Sequence, residues 1–333
     1  MFTSRRAFIA LFSLVVLFLL SMPALAADPG DPLDTGTTVP NDQKAGSLLF
    51  FNIYTSSTTN PASNNTSITI TNTSESQAAF VHLYFIDGTS CSVADRFFCL
   101  TRLQTLTFYA DEQDPGITGY IVAIAVDGVD GAPTRFNYLI GVEYVKFATG
   151  HADALAAEAF IKLNDTNVIS TDGSLAALFF DGLPLAGSYS RAPRVLAIDN
   201  IASRLDGNDT LVILNRVGGN LTSTAASLGN LFGLLYDEAE ASFSFTITGG
   251  CQLRFTLNDV NPRVTPRFSR IVPANATGWL KIWPTSDVGM LGSVINFNPN
   301  AAQGGGFNGG HNLHKLTLSG AANYVVPVFP PGC

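Results

Sequence analysis

The sequence predicts an all-β protein: tandem immunoglobulin-like β-sandwiches with a short connector between them, after an N-terminal signal peptide. Three observations carry this expectation. From Gly46 onward the chain is a succession of short runs, either apolar throughout or alternating with period two, separated by clusters of Gly, Asn, Asp and Ser. That is the texture of strands burying one or both faces. The runs are filled with β-branched and aromatic residues, which suit a pleated, half-buried surface. Landmarks of the first half also recur in order in the second, so the roughly 300 residues after the signal divide into two units of ordinary sandwich size.

Residues 1–26 read as the signal peptide. Arg5 and Arg6 precede a nearly unbroken apolar run from Ala7 to Leu20, and Ala24-Leu25-Ala26 supplies the small-x-small pattern that a signal peptidase cuts after. Ser4-Arg5-Arg6-Ala7-Phe8-Ile9 resembles the twin-arginine export motif, whereas the strongly apolar core suits the general secretory route, so both routes stay open. An uncut segment would be long enough to span a bilayer. Pro23 and the Ala-Leu-Ala tail favour cleavage, and no later stretch is apolar over a spanning length. The expected location is extracellular, cell surface or periplasm, with no membrane span after cleavage. Residues 27–44, rich in Asp, Pro, Gly and Thr, read as a flexible leader.

The chain carries 18 basic against 26 acidic residues, a net charge of −8. Cleavage would remove two arginines and no acid, making the remainder more acidic still. Such a balance argues against nucleic acid, whose phosphates need basic clusters, and against anionic membrane surfaces.

The first sandwich is expected over residues 45–149. Its strands are read at 47–54, at the alternating Ser67-Ile68-Thr69-Ile70-Thr71-Asn72, at 79–86 up to the turn Asp87-Gly88, at 105–109, at 119–126 and at 136–147. In the connector, 150–190, Leu155, Ala159, Phe160 and Leu163 recur at roughly helical spacing, with Asp153 and Lys162 at the ends a helix dipole favours, so a short helix is expected there, while Glu158 to Leu163 reads equally as a strand. The second sandwich is expected over 191–333. Asp199-Asn200-Ile201 echoes Phe51-Asn52-Ile53, Thr210 to Asn215 echoes Ser67 to Asn72, Cys251 falls where Cys91 does, and Thr277-Gly278-Trp279-Leu280 echoes Thr118-Gly119-Tyr120-Ile121. A tandem duplication accounts for that order.

The stretch 45–146 resembles uncharacterised exported bacterial proteins with immunoglobulin-like β-sandwich domains. The residues that carry the resemblance are Asn52-Ile53-Tyr54, the turn Asn72 to Ser74, and the run Asp87 to Ser92. It implies export and a sandwich fold, and brings no catalytic motif with it.

Four cysteines in an oxidising compartment imply disulfides. Cys91 with Cys99 and Cys251 with Cys333 would keep each bridge inside one domain; a free Cys333 and the other pairings stay open. Zinc on these cysteines is disfavoured, since no C-x-x-C spacing occurs.

Chemistry-bearing residues are sparse. Among four histidines, His82 lies in an alternating strand and His151 opens the connector; only His311 and His314 form a local pair. Two histidines three apart can share a metal on a helix, whereas on a strand they point to opposite faces. Acidic clusters stand at Asp111-Glu112-Asp114, at Asp206 with Asp209, and at Asp237-Glu238-Glu240. Calcium is a candidate at Asp206 and Asp209, and otherwise no cofactor is expected. Trp279, Lys281 and Trp283 share one face of a strand, where they either fill the core or stack on a ligand such as a sugar. The sequence lacks a G-x-S-x-G elbow, a phosphate loop ending in Lys-Ser/Thr, and His-Glu-x-x-His. The functional expectation is a secreted or cell-surface structural or adhesive protein without catalytic activity, with a protein or glycan partner or self-assembly. The alternatives are carbohydrate binding through the aromatic strand face, or a hydrolase built from two carboxylates.

Overall fold

A computed structural model describes residues 38–301 and 307–332. The signal peptide expected over 1–26, most of the leader, Gly304 to Gly306 and Cys333 lie outside the described residues.

The first half supplies β1 (Leu48–Thr55), β2 (Asn65–Asn72), β3 (Ala79–Asp87), β4 (Val93–Leu100), β5 (Thr105–Tyr109), a one-turn helix α1 (Ala110–Gln113), β6 (Thr118–Val126), β7 (Leu139–Lys146), β8 (Ala152–Ala156) and β9 (Glu158–Phe160). These form two antiparallel sheets, sheet I in the order β4-β3-β6-β1-β9 and sheet II in the order β5-β2-β7-β8. The alternation in β2 does what it promised. Ile68 and Ile70 enter the core between the sheets, against Leu49, Phe51, Val81, Leu83, Phe85 and Phe108. Thr69 and Thr71 face out and pair hydroxyls with Thr107 and Thr105 at 3.0 and 2.9 Å.

The helix expected around Leu155 to Leu163 is not there. That segment is β8 and β9, and the chain crosses from sheet II, where β8 pairs with β7, to sheet I, where β9 pairs with β1. The free edges of both sheets offer unpaired N–H and C=O groups, and pairing with them outweighs a local period that matched a helix by coincidence.

The second half supplies β10 (Val168–Ile169), β11 (Leu175–Phe179), β12 (Pro193–Ala202), β13 (Asp209–Val217), β14 (Gly219–Asn220), β15 (Thr224–Ala225), β16 (Gly229–Tyr236), β17 (Ser242–Gly249), β18 (Gln252–Thr256), a second one-turn helix α2 (Phe268–Ile271), β19 (Thr277–Pro284), β20 (Gly289–Phe297), β21 (Gly309–Asn312), β22 (His314–Leu318) and β23 (Asn323–Pro327). Sheet IV has the order β17-β16-β19-β12-β22 and sheet V the order β18-β13-β20-β21. Replacing β12, β13, β16, β17, β18, β19, β20, β21 and β22 by β1 to β9 reproduces sheets I and II strand for strand. Even the irregularities match: β1 bulges between Phe51 and Tyr54, and β12 between Ile198 and Ile201, just before each meets the glycine of its partner strand, Gly119 or Gly278. The protein is therefore a tandem of two sandwiches of one topology.

The remaining strands form sheet III, in the order β10-β11-β23-β14-β15. Its Leu178, with Tyr324 and Val326 of β23 and the adjoining Phe180, packs on the second face of sheet I, against Leu48, Phe50, Tyr84, Ile86, Tyr120, Val122 and Ile124. Sheet I is thus buried on both sides. That is why Leu48-Leu49-Phe50-Phe51 and Tyr120 to Val126 read as unbroken apolar runs rather than alternating ones.

The two sandwiches meet at the bulge of β1. Ile53, turned outward there, packs with Val145 and Leu155 on Ile213 and Ile295 of sheet V. Beside it, Gln252 Nε2 donates to the carbonyls of Asn52 and Gly119 at 3.1 and 3.0 Å, and to Asn215 Oδ1 at 2.9 Å. Asn52 Nδ2 donates to Asn312 Oδ1 at 2.8 Å.

A disulfide crosses the same seam, and it corrects the expected pairing: Cys91 bonds Cys251, with Cα atoms 5.3 Å apart. Cys91 precedes β4 and Cys99 lies near its far end, so at ~3.3 Å per residue their Cα atoms stand more than about 20 Å apart, beyond what a bridge spans. Nor are Cys91 and Cys251 repeat equivalents, since one lies between β3 and β4 and the other between β17 and β18. Cys99 is itself disulfide-bonded.

Candidate functional site

Alternation along β19 sends Leu280 and Ile282 into the core between sheets IV and V and Trp279, Lys281 and Trp283 to the opposite, outer side. The register then assembles a face. Tyr236, Leu234 and Phe232 of β16 stand opposite Trp279, Lys281 and Trp283, and beyond them Ser242, Ser244 and Thr246 of the edge strand β17 continue the same rows. Tyr236 stacks on Trp279 with centroids 4.0 Å apart and planes 4° from parallel, and Phe232 leans on Trp283 at 5.1 Å and 50°. Both tryptophans are half-buried, and Lys281 between them is only 4% exposed. The tryptophans are four residues apart, about 13 Å along the strand.

The repeat gives this face its meaning. Its counterparts in sheet I are Tyr120, Val122 and Ile124 of β6, opposite Ile86, Tyr84 and His82 of β3. All six are at most 1% exposed, and sheet III covers the face they form. The expected likeness of Trp279 to Tyr120 is therefore one of register and not of environment. On sheet IV none of the described elements is layered over the aromatic rows, yet apart from the buried Lys281 the residues stay large and apolar. Other positions did change with exposure. The bulge residues Asn52 and Ile53 at the seam correspond to Asp199 and Asn200, and Leu155, opposite Glu143 in β7, corresponds to His311, opposite Val294 in β20.

Those exchanged positions make a second feature. His311 ends up beside His314, although strand residues three apart should point away from each other. The chain leaves sheet V at Asn312 and joins sheet IV at His314, so Leu313 is a crossover and the two rings lie 5.6 Å apart. Between them stands Asp199, pushed out by the bulge of β12: His311 Nε2 lies 3.3 Å from Asp199 Oδ1, and His314 Nε2 3.3 Å from Oδ2. Partial burial pushes the Asp199 carboxyl up, but the His314 hydrogen bond and the charge of both histidines outweigh it and hold the group below its ordinary value. His314 pairs with Ala197, which pairs with Lys281, so the trio borders the aromatic face.

Asp206 and Asp209, the separate candidates for calcium, lie away from the histidine pair. Asp206 Oδ2 accepts from the backbone N–H of Asn275 at 2.8 Å, and Asp209 Oδ1 accepts from the Arg204 guanidinium. The other acidic clusters serve turns and caps: Asp111 takes Asn65 Nδ2, Asp237 the N–H groups of Ala239 and Ala241, and Glu238 that of Thr277. His82 and His151 are buried, the first between Asp95 and Tyr84, the second against the Asp209 carbonyl.

No family model matches the chain, and no curated protein matches it; the resemblance of residues 45–146 to exported bacterial proteins thus acquires no named family. Among solved structures, a mutant of the major pilin from Streptococcus pyogenes is similar to it, at 10% identity over 85% of this chain and 98% of that one, with a TM-score of 0.20. A likeness at that score carries no argument. What the fold defines is a class: an all-β protein of tandem antiparallel sandwiches, the first overlaid by a third sheet. Among the described residues no helix is long and apolar enough to cross a membrane.

Proposed function

We propose that this chain is a secreted or cell-surface adhesive protein that holds a polysaccharide on the outer face of sheet IV. The observation that carries the reading is the contrast between the repeats. The same register positions are mostly large and apolar in both sandwiches, roofed by sheet III in one, while in the other Phe232, Leu234, Tyr236, Trp279 and Trp283 stand half-buried around the buried Lys281. Apolar area left in water tends to be exchanged for polar side chains unless a partner uses it, as happened at Asn200 and His311. Flat aromatic rows offer C–H-rich sugar faces a stacking surface, and the hydroxyls of Ser242, Ser244 and Thr246 alongside offer donors and acceptors to sugar hydroxyls. Export fits the disulfide across the seam, which needs an oxidising compartment.

The test is a polysaccharide array probed with the mature chain, followed by calorimetry on whichever polymer is retained. Trp279→Ala and Trp283→Ala are each expected to weaken binding roughly tenfold or more. Retention that both variants leave intact removes the face from the account.

Self-assembly is favoured by a separate feature, the outer side of sheet II, where Ile140, Val142 and Tyr144 are 42, 36 and 54% exposed in one row. Light scattering on the wild type and Val142→Lys tests it: a multimer abolished by the substitution supports the reading, and a monomeric wild type ends it.

A further inference from the structure

We propose that Asp199, His311 and His314 bind one divalent first-row transition-metal cation, with zinc the ion that their donor set fits. Two imidazoles and a carboxylate are the borderline donors such ions prefer over the all-oxygen shells of calcium and magnesium. All three ligand atoms lie within 4.8 Å of one another. With bonds of about 2.0–2.1 Å, tetrahedral ligands stand about 3.3 Å apart; His311 Nε2 lies 3.3 Å from one Asp199 oxygen and His314 Nε2 3.3 Å from the other. The trio closes on an ion by drawing its three ligand atoms in from their present spread of up to 4.8 Å, and three protein ligands leave a position for water or a ligand atom.

The surroundings are arranged as a metal site requires. His311 Nδ1 lies 2.8 Å from the Asn312 carbonyl. A proton held on Nδ1 by that acceptor leaves Nε2, the nitrogen facing Asp199, to carry the lone pair; ligating histidines are oriented in this way. Asn312 is itself held. Its Nδ2 donates to the Ala156 carbonyl at 2.7 Å and to Asp42 Oδ2 at 3.2 Å, and its Oδ1 accepts from Asn52 at 2.8 Å. The crossover that brings the histidines together is thus tied to the first sandwich through part-buried groups. Asp42 borders the same hollow as the trio, as does Lys315, whose charge is taken up by Glu158 at 2.7 Å. A bound ion would fasten β21 and β22 to the bulge of β12, at the rim of the aromatic face.

The proposal stands independently of what that face binds. Its test is calorimetric titration of the mature chain, with any affinity tag removed, with zinc chloride in a non-coordinating buffer, and with calcium chloride in parallel. The expected result is one zinc per chain at micromolar affinity or tighter, no saturable calcium uptake, and a loss of at least roughly tenfold in affinity in both His314→Ala and Asp199→Ala. These side chains are 55 and 60% exposed, so both variants are expected to fold, and equal melting temperatures in chelator verify it. Absence of saturable zinc uptake by the wild type overturns the proposal. So does uptake that either variant leaves unchanged.

Discussion

Removing the bridge between Cys91 and Cys251 perturbs the tandem where its two halves are joined. The bridge closes a loop over a sequence separation of 160 residues, and in the chain-entropy account a loop of that length withholds about 5 kcal/mol of disorder from the unfolded state. Cys251 is fully buried and Cys91 packs against the core beneath sheet III, so alanine at both positions fits without placing a polar group inside. The native seam of Ile53, Gln252 and Asn215 remains in the variant. Cys91→Ala/Cys251→Ala should accordingly fold to the same structure and lose about 4–5 kcal/mol. The assay is urea unfolding without reductant, followed at once by tryptophan fluorescence, which reports sheet IV because Trp279 and Trp283 both stand there, and by far-ultraviolet circular dichroism, which reports all the sheets. Coincident transitions in the wild type that shift together in the variant are the expected result. A loss below about 1 kcal/mol would refute the reasoning, because it would mean the unfolded chain gains little freedom when the bridge is gone.

Glu143 gives a prediction with a defined sign. It is buried at the seam, and burial pushes its carboxyl well above the ordinary range, against the backbone N–H groups of Ile53 and Asn52, which pull it down. A raised folded value means that the group's contribution is fully present below the unfolded value, near pH 4.5, and is lost as pH rises through the folded one. Glu143→Gln, neutral at every pH and still able to accept from Ile53, should match the wild type at pH 4 and melt higher than it at pH 8; a variant that melts lower at pH 8 contradicts this. The effects of His314→Ala on zinc affinity and of Val142→Lys on assembly complete the set.

Much of the fold was legible because one physical signal, period-two alternation, survives wherever a sheet has one buried face. β2 was readable for that reason, and β13, an unbroken apolar run from Leu211 to Leu214, through its place in the same order of landmarks. The lost parts have physical causes too. β8 and β9 carried a spacing that suited a helix and took their form instead from the open edges of sheets I and II. The disulfide could not be read from spacing, because Cys91 and Cys251 become neighbours only when the sandwiches dock. Sheet III is built of short strands from distant places, Leu175–Phe179 and Asn323–Pro327 among them, and its existence showed only indirectly, in the unbroken apolar runs of sheet I. At the candidate site, Trp279, Lys281 and Trp283 were correctly placed on one face by alternation, but exposure depended on a layer that covers one repeat and not the other. Asp199 escaped notice for want of a local motif. Its one signal was a polar Asp199-Asn200 pair interrupting the apolar run from Val195 to Ile201, the mark of a bulge.

The central claim is that the aromatic rows of sheet IV hold a polysaccharide. The most direct measurement is affinity electrophoresis of the wild type, Trp279→Ala, Trp283→Ala and the double variant through gels containing the polymer retained on the array. The account predicts a retarded wild type, faster single variants and a double variant running as in polymer-free gel. Equal retardation of all four, with circular dichroism showing them equally folded, would contradict it.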